Sequence, residues 1–339
     1  MTRVASLVII LVASGFAQIS TKPNTARSQA VKFAPAAGAS LDAATGLPTR
    51  IIHKASGIVL VLIPAGKFQM GSPVSEADRS SIERQHLRII RKPFYLGETE
   101  VTVEQFRRFA QSTHYQTDAE RGAEDNGNFK GSFASTPEGS DARQWTATAN
   151  WRNPFPHVKE YLLSDTHPVV HVSWNDARRF VEHFGLQLPT EAQWEYAARA
   201  GSRTRFFWGD TENGGEGYGN FADATGRKLF RNWNLYFSFD DKVALIAAVG
   251  KYRPNGWKIY DMMGNVSEWC QDAYRKDYPN DGADESAIDG ERNSARILRG
   301  SSWLDGPDAN RSANRFVFTP TGRRDFVGFR VAATIESVK

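Results

Sequence analysis

A single cysteine, Cys270, among 339 residues rules out an intramolecular disulfide, a four-thiolate zinc site and a CxxC redox pair. Packing, polar networks and metal sites without paired sulfur must therefore hold the chain. Excess charge is equally scarce: 42 Lys and Arg against 38 Asp and Glu leave +4, with no basic stripe of the kind that tracks a phosphate backbone. Nucleic acid is not an expected partner. No G-x-S-x-G elbow, P-loop or H-E-x-x-H occurs, so the common hydrolase, nucleotide-phosphate and zincin signatures are excluded. What the chain does have is 40% hydrophobic residues, 12% aromatics and 28 glycines, enough for a stable globule rich in turns.

The N-terminus carries the longest apolar run. Arg3 precedes residues 4–16, and Gly15, Phe16 and Ala17 place small residues where a signal peptidase reads. Residues 1–17 are read as a signal peptide, the run being shorter than the roughly 20 residues of a spanning helix. An uncleaved membrane anchor or a buried strand is the alternative. The expected mature chain is periplasmic or secreted, without stable membrane insertion. Residues 18–50, rich in Ala, Ser, Thr and Pro, read as a flexible lead-in.

From residue 51 to 337 the spacing predicts one loop-rich α+β domain with few helices and short sheets. Three capping boxes announce helices: Thr102 with Gln105, Ser173 with Asp176 and Thr190 with Gln193, each followed by an apolar stripe. Strands are expected at 58–63, 94–99, 169–172, 295–299 and 329–333.

Local chemistry is sparse. His167 and His171 would share a strand face and read better as structural histidines than as metal ligands. The 215–219 stretch, Gly-Glu-Gly-Tyr-Gly, lacks the flanking strand and helix of a phosphate cradle. The 261–269 stretch, Asp-Met-Met-Gly-Asn-Val-Ser-Glu-Trp, sets carboxylates around a Gly turn, a pattern shared by calcium sites and by solvated turns. Cys270, between aromatic and polar neighbours, reads as a small core hydrophobe.

Several motifs occur in one order: 63–72 (Ile-Pro-Ala-Gly-Lys-Phe-Gln-Met-Gly-Ser), 98–102 (Glu-Thr-Glu-Val-Thr), 167–177 (His-Pro-Val-Val-His-Val-Ser-Trp-Asn-Asp-Ala) and 188–201 (Leu-Pro-Thr-Glu-Ala-Gln-Trp-Glu-Tyr-Ala-Ala-Arg-Ala-Gly). They are followed by 261–269, 299–303 (Arg-Gly-Ser-Ser-Trp), 311–315 (Arg-Ser-Ala-Asn-Arg) and 328–332 (Gly-Phe-Arg-Val-Ala). Together they resemble the formylglycine-generating enzyme, or sulfatase-modifying factor, family over about residues 58–334.

That resemblance implies a C-type-lectin-like fold with structural calcium. One calcium would be held by the Asp261 side chain, the Gly264 and Val266 carbonyls and Glu268. The other would use Asn220, the Phe221 carbonyl, Asp241 and the Val243 carbonyl. The family's best-known activity oxidises a substrate cysteine with O2 at a copper ion held by two cysteines. Here Asp305 and Asn310 stand at those positions, or Pro307 at the second when aligned backward from the 328–332 motif. Copper(I) prefers thiolates, so copper and the sulfatase-activating reaction are not expected. Ser267 and His183 replace tryptophans usual in the family.

Two readings remain. The first is an oxidative maturation enzyme for an exported peptide, protein or peptide-derived metabolite, resembling the pyoverdine-maturation branch, which is also cysteine-poor at the site. Asp305, Asp308 and Arg311 would be its acid/base groups, Arg315 would orient them, and Trp303, Asn310 and Phe318 would meet substrate. The second is a non-catalytic binding module in which Trp303, Arg311, Arg315 and Phe318 form a contact surface. Arg311 and Arg315 also fit a purely structural ion-pair cluster.

Overall fold

Phe33 and Ile51, both buried, draw the N-terminal strands onto the domain. The computed structural model describes residues 32–123, 129–137, 143–230, 236–278 and 283–338. In chain order the first half comprises β1 (Phe33–Pro35), β2 (Arg50–His53), β3 (Ile58–Ile63), β4 (Gly66–Met70), β5 (His86–Ile90), β6 (Phe94–Gly97), α1 (Val103–Thr113), α2 (Asp118–Arg121), β7 (Ser132–Ser135) and β8 (Arg143–Thr146). Then follow α3 (Trp174–Phe184), α4 (Glu191–Arg199), α5 (Ala224–Leu229), β9 (Ser267–Ala273), β10 (Ala283–Asp284), β11 (Arg296–Arg299), β12 (Phe316–Phe318), β13 (Val327–Gly328), β14 (Ala332–Thr334) and α6 (Ile335–Val338). Among the described residues no helix is long and apolar enough to cross a membrane.

Two sheets position the rest. The order β1-β2-β3-β6-β14 is antiparallel throughout, and β3 lies centrally because its apolar run Ile-Val-Leu-Val-Leu-Ile packs on both faces. A second sheet, β12-β11-β9-β13, carries Trp269 and Leu298 into the main core. Smaller pairings join β4, β5 and β10, and β7 with β8.

The helices start where the capping boxes placed them. Thr102, Ser173 and Thr190 each accept the backbone N–H three residues on, and Gln105, Asp176 and Gln193 return the bond to the cap's own N–H. Beyond its cap, α3 buries Ala177, Phe180, Val181 and Phe184 against Phe106 and Phe109 of α1 and Phe329. Burying each large apolar side chain contributes roughly 1.5–3 kcal/mol. Gly185, in the left-handed region at φ 67°, ends α3.

Three expectations need correction. The stretch thought flexible is ordered from Lys32 onward: β1 pairs with β2, and Leu41 bridges Pro48, so the compact unit extends N-terminally from residue 51 to Lys32. Phe33 supplies the reason, since its ring stacks edge-on against His53 inside the core. The apolar run 169–172 is not a strand, because His171 at φ 58° turns the chain into the cap of α3. The C-terminal strand starts at Ala332, preceded by the separate short β13. The 1–17 signal-peptide reading lies outside the described residues.

Candidate functional site

The loop after β11 is braced carbonyl by carbonyl. Gly300 and Ser301 adopt φ of 93° and 56°, turning the chain sharply, and the Ser301 hydroxyl donates to Ala309 O at 2.5 Å. Asn310 donates its amide to Asp305 O and Gly306 O at 2.7 and 3.1 Å, Asn314 reaches Ala309 O at 2.7 Å, and Arg311 Nε reaches Asp308 O at 2.7 Å. The Ala222 N–H adds a bond to Asp305 O at 3.2 Å. Side chains thus make the bonds that regular structure would otherwise supply.

On this frame sit the two candidate carboxylates. Asp305 Oδ2 accepts the Ser302 hydroxyl at 2.6 Å, and both Asp305 and Asp308 are half-buried, at the boundary where solvent can still reach a carboxylate. A hydroxyl–carboxylate pair of this kind can relay a proton to a group bound above the loop.

The other site residues are placed differently from expectation. Arg311 does not pair with the Asp305 or Asp308 side chain: Nη1 and Nη2 grip the two oxygens of Glu83, each at 2.8 Å, and Nη1 also meets Glu76 at 2.8 Å. Burial pushes Glu83 up, but the Arg311 hydrogen bonds and charge outweigh it and leave the carboxyl below its ordinary range. At Glu76 burial wins and the pKa rises. Arg315 does not orient the aspartates either; it forks onto Glu191 at 2.6 and 2.8 Å and donates to Ile82 O at 2.9 Å. Both arginines are buried framework groups.

Trp303 is 1% exposed, edge-on to Phe155 and near Phe230, so it is core rather than a substrate contact. Asn310 is fully buried and serves the loop. Phe318 is half-buried on β12, with the Arg324 guanidinium over its ring. Cys270 is fully buried and burial pushes its thiol well above the ordinary value, which agrees with a packing role.

The two calcium sets contrast. Around Asp261, the carboxyl oxygen Oδ1 of that residue and Oε2 of Glu100 are buried without a hydrogen-bond partner. Burial raises Asp261 to about 6 and Glu100 well above its usual value, outweighing the opposing charge of Arg330. Glu268 lies beside them but is engaged by Arg330 and by Trp194 Nε1. The unpartnered Asp261 and Glu100 oxygens are hard donors of the kind calcium takes, whereas both Glu268 oxygens are already occupied by Arg330. In the second set Asn220 Oδ1 is buried without a partner, whereas Asp241 already accepts the Phe221 and Val243 amides at 2.8 and 2.9 Å. Burial raises Asp241 to about 7. Among the described residues no cluster of three or more His, Cys, Asp or Glu converges as a metal site, so carbonyl and amide oxygens would have to complete either shell.

His167 and His171 do not act together. His171 is buried with Nε2 donating to Pro154 O at 2.8 Å, while His167 bonds Tyr161. Sequence reasoning missed Glu76, Glu83, Glu191, Glu100 and Arg330. Their partners lie far off in the chain, as Arg311 and Glu83 do at 228 residues' separation, and no local spacing marks such pairs.

A loop-rich α+β domain of two main sheets, with a side-chain-braced loop after the third strand of the second half, defines the class. Residues 52–335 match the sulfatase-modifying factor enzyme 1-like domain, and the chain belongs to that family. It is 33% identical over 290 residues to a formylglycine-generating enzyme of Streptomyces coelicolor, covering 80% of this chain and 88% of that one. Against the inactive C-alpha-formylglycine-generating enzyme 2 of Bos taurus it is 31% identical over 298 residues, covering 81% and 87%. The structure of PvdO from Pseudomonas aeruginosa superposes with a TM-score of 0.61 at 25% identity, covering 83% of this chain and 95% of that one.

Proposed function

We propose that this protein is an exported modifying enzyme that removes two hydrogens from a peptide-derived or protein substrate without a two-cysteine copper site. The observation that supports this reading most is the Ser302–Asp305 pair, 2.6 Å apart on a loop that four side chains and one backbone N–H hold in place. Preorganised polar groups need no rearrangement when charge develops, which is what makes them catalytic. Asp305 takes a proton from the substrate, assisted by Ser302, and Asp308, also half-buried on this loop, is the second acid/base group. Dioxygen, the family's oxidant, accepts the two electrons and two protons and leaves as hydrogen peroxide. Calcium at Asp261, Gly264, Val266 and Glu268, and at Asn220, Phe221, Asp241 and Val243, would supply structural charge compensation alone.

A second reading rests on the absence of any thiol from the loop and on the likeness to a relative described as inactive. In it the fold presents a binding surface and performs no chemistry.

Mass spectrometry of exported peptides and metabolites separates the two. Strains lacking the gene, or carrying Asp305→Ala with Asp308→Ala, should accumulate a product two hydrogens heavier than the parent's. Identical masses in all three strains would leave the binding module. N-terminal sequencing of the mature chain tests export directly, with Gln18 expected first.

A further inference from the structure

The outer face of α3 carries an arginine cluster that the reading above leaves unused. A cavity of about 810 Å³ opens between α2, the start of α3 and the turn after β12, and it shares no lining residue with the Ser302–Arg311 loop. Arg121, Arg178, Arg179 and Arg292 line it, with Asp118 the one carboxylate among its lining residues. Tyr115 and Asn175 add neutral hydrogen-bonding groups. We propose that this cavity binds a small oxyanion ligand, carrying carboxylate or phosphate groups, between the guanidiniums of Arg121, Arg178 and Arg179.

Geometry supports this over an ordinary solvated helix face. Arg121 is fixed by a fork onto Asp118 Oδ1, Nε at 3.2 Å and Nη2 at 2.7 Å, and Asp118 is itself 1% exposed and held by the Ser173 hydroxyl at 2.6 Å. The arginine is therefore pre-positioned by a buried network rather than waving in solvent. Arg178 and Arg179 share Glu182, at 2.7 and 3.4 Å, so one carboxylate orients two cations and leaves a net positive charge facing the cavity. Their side chains remain 49% and 63% exposed, which keeps several N–H donors open to a ligand. Planar guanidinium forks match two oxygens of a carboxylate or phosphate, where a lysine ammonium would give only a point charge. A volume of about 810 Å³ is in the range of small-molecule sites and exceeds a single phosphate, so a ligand with two or more charged groups fits best.

A second buried acid braces two of the lining residues. Asp176 accepts the Tyr115 hydroxyl at 2.9 Å and the Asp118 N–H at 3.0 Å, tying the cavity wall to the cap of α3. Occupation of the cavity would thus be felt by the helix start as well as by the arginines.

The test is titration calorimetry of the full mature chain, at fixed ionic strength and without free calcium in the buffer, with inorganic phosphate and with tricarballylate as probes. Saturable binding of either at or below about 10 mM is expected. A preference for phosphate assigns a phosphoryl ligand and a preference for tricarballylate a polycarboxylate. Arg178→Gln with Arg179→Gln should weaken the preferred probe at least tenfold, and Arg121→Gln should do so alone. Arg108→Gln, an exposed α1 arginine paired with Glu104 and away from the cavity, should leave binding unchanged. Because the exposed double variant keeps the core intact, its melting temperature serves as the folding control. No saturable binding of either probe, or equal affinity in the double variant, overturns the proposal.

Discussion

Arg330 holds Glu268 through two parallel bonds, Nε to Oε2 and Nη2 to Oε1, both at 2.6 Å, with neither side chain exposed. The same guanidinium reaches Gly97 O and Tyr260 O, each at 3.0 Å, so one residue ties β6, the 260–261 turn and β9 together. Glu100 and Asp261 lie close enough for their charges to be felt by Arg330. Arg330→Met would therefore leave a cluster of buried carboxyls without their cation. A loss of about 3–5 kcal/mol is expected in urea denaturation, the range for breaking a buried pair from one side. A loss under about 1 kcal/mol would show that the cluster neutralises itself by protonation.

Calcium should act on the same cluster. An ion that binds only the folded chain stabilises it by about 2.7 kcal/mol at a hundredfold excess over its dissociation constant. Adding calcium to chelator-treated protein is expected to raise the melting temperature by several degrees, and Asp261→Ala should remove most of that rise. Magnesium, smaller and more reluctant to shed water, should replace it poorly. Equal melting with calcium and with chelator, in wild type and variant alike, would remove calcium from the fold.

The three long helices were legible because their starts are written locally: a cap residue and its partner three positions on need no tertiary information. The same holds for β3, whose apolar run is continuous. Where tertiary contacts decide, local patterns mislead. Residues 169–172 have strand composition, yet the left-handed His171 redirects the chain because its ring is held by Pro154 O from another loop. The lead-in looked flexible by composition, although one aromatic, Phe33, is enough to order its end against His53. Arg311 and Arg315 look like partners of nearby aspartates, but burial selects glutamates delivered from Glu83 and Glu191, which complete two-oxygen forks that the aspartates do not offer. The Asp305 hydrogen bond to Ser302, three residues away, is of the local kind that a sequence can show.

His171 gives the pH dependence a definite sign. Burial, with a smaller push from Arg323 and Arg324, lowers its pKa from 6.5 to about 4. Between those values the unfolded chain binds a proton that the folded chain refuses, so stability is complete above about pH 6.5 and falls as pH drops toward 4. The loss from this residue is about 3 kcal/mol. His171→Gln, which keeps a donor for Pro154 O but cannot titrate, should flatten the difference between unfolding free energies at pH 7 and pH 4.5. Parallel pH curves for both proteins would mean that His171 gains its proton without unfolding its pocket.

The braced loop allows catalytic and structural roles to be told apart at Arg311. If the residue works only by gripping Glu76 and Glu83 and pinning Asp308 O, Arg311→Gln must loosen residues 302–310 before it affects any reaction. Faster amide exchange across that loop and a stability loss of about 3–5 kcal/mol are expected, the cost of leaving Glu83 buried and unpaired. Glu83→Gln should produce the same loosening from the other side of the pair. Asp305→Asn should leave exchange nearly unchanged, since Asn still accepts the Ser302 hydroxyl, while abolishing the two-hydrogen loss in product. Loss of product in Arg311→Gln with an undisturbed loop would instead place its guanidinium among the reacting groups.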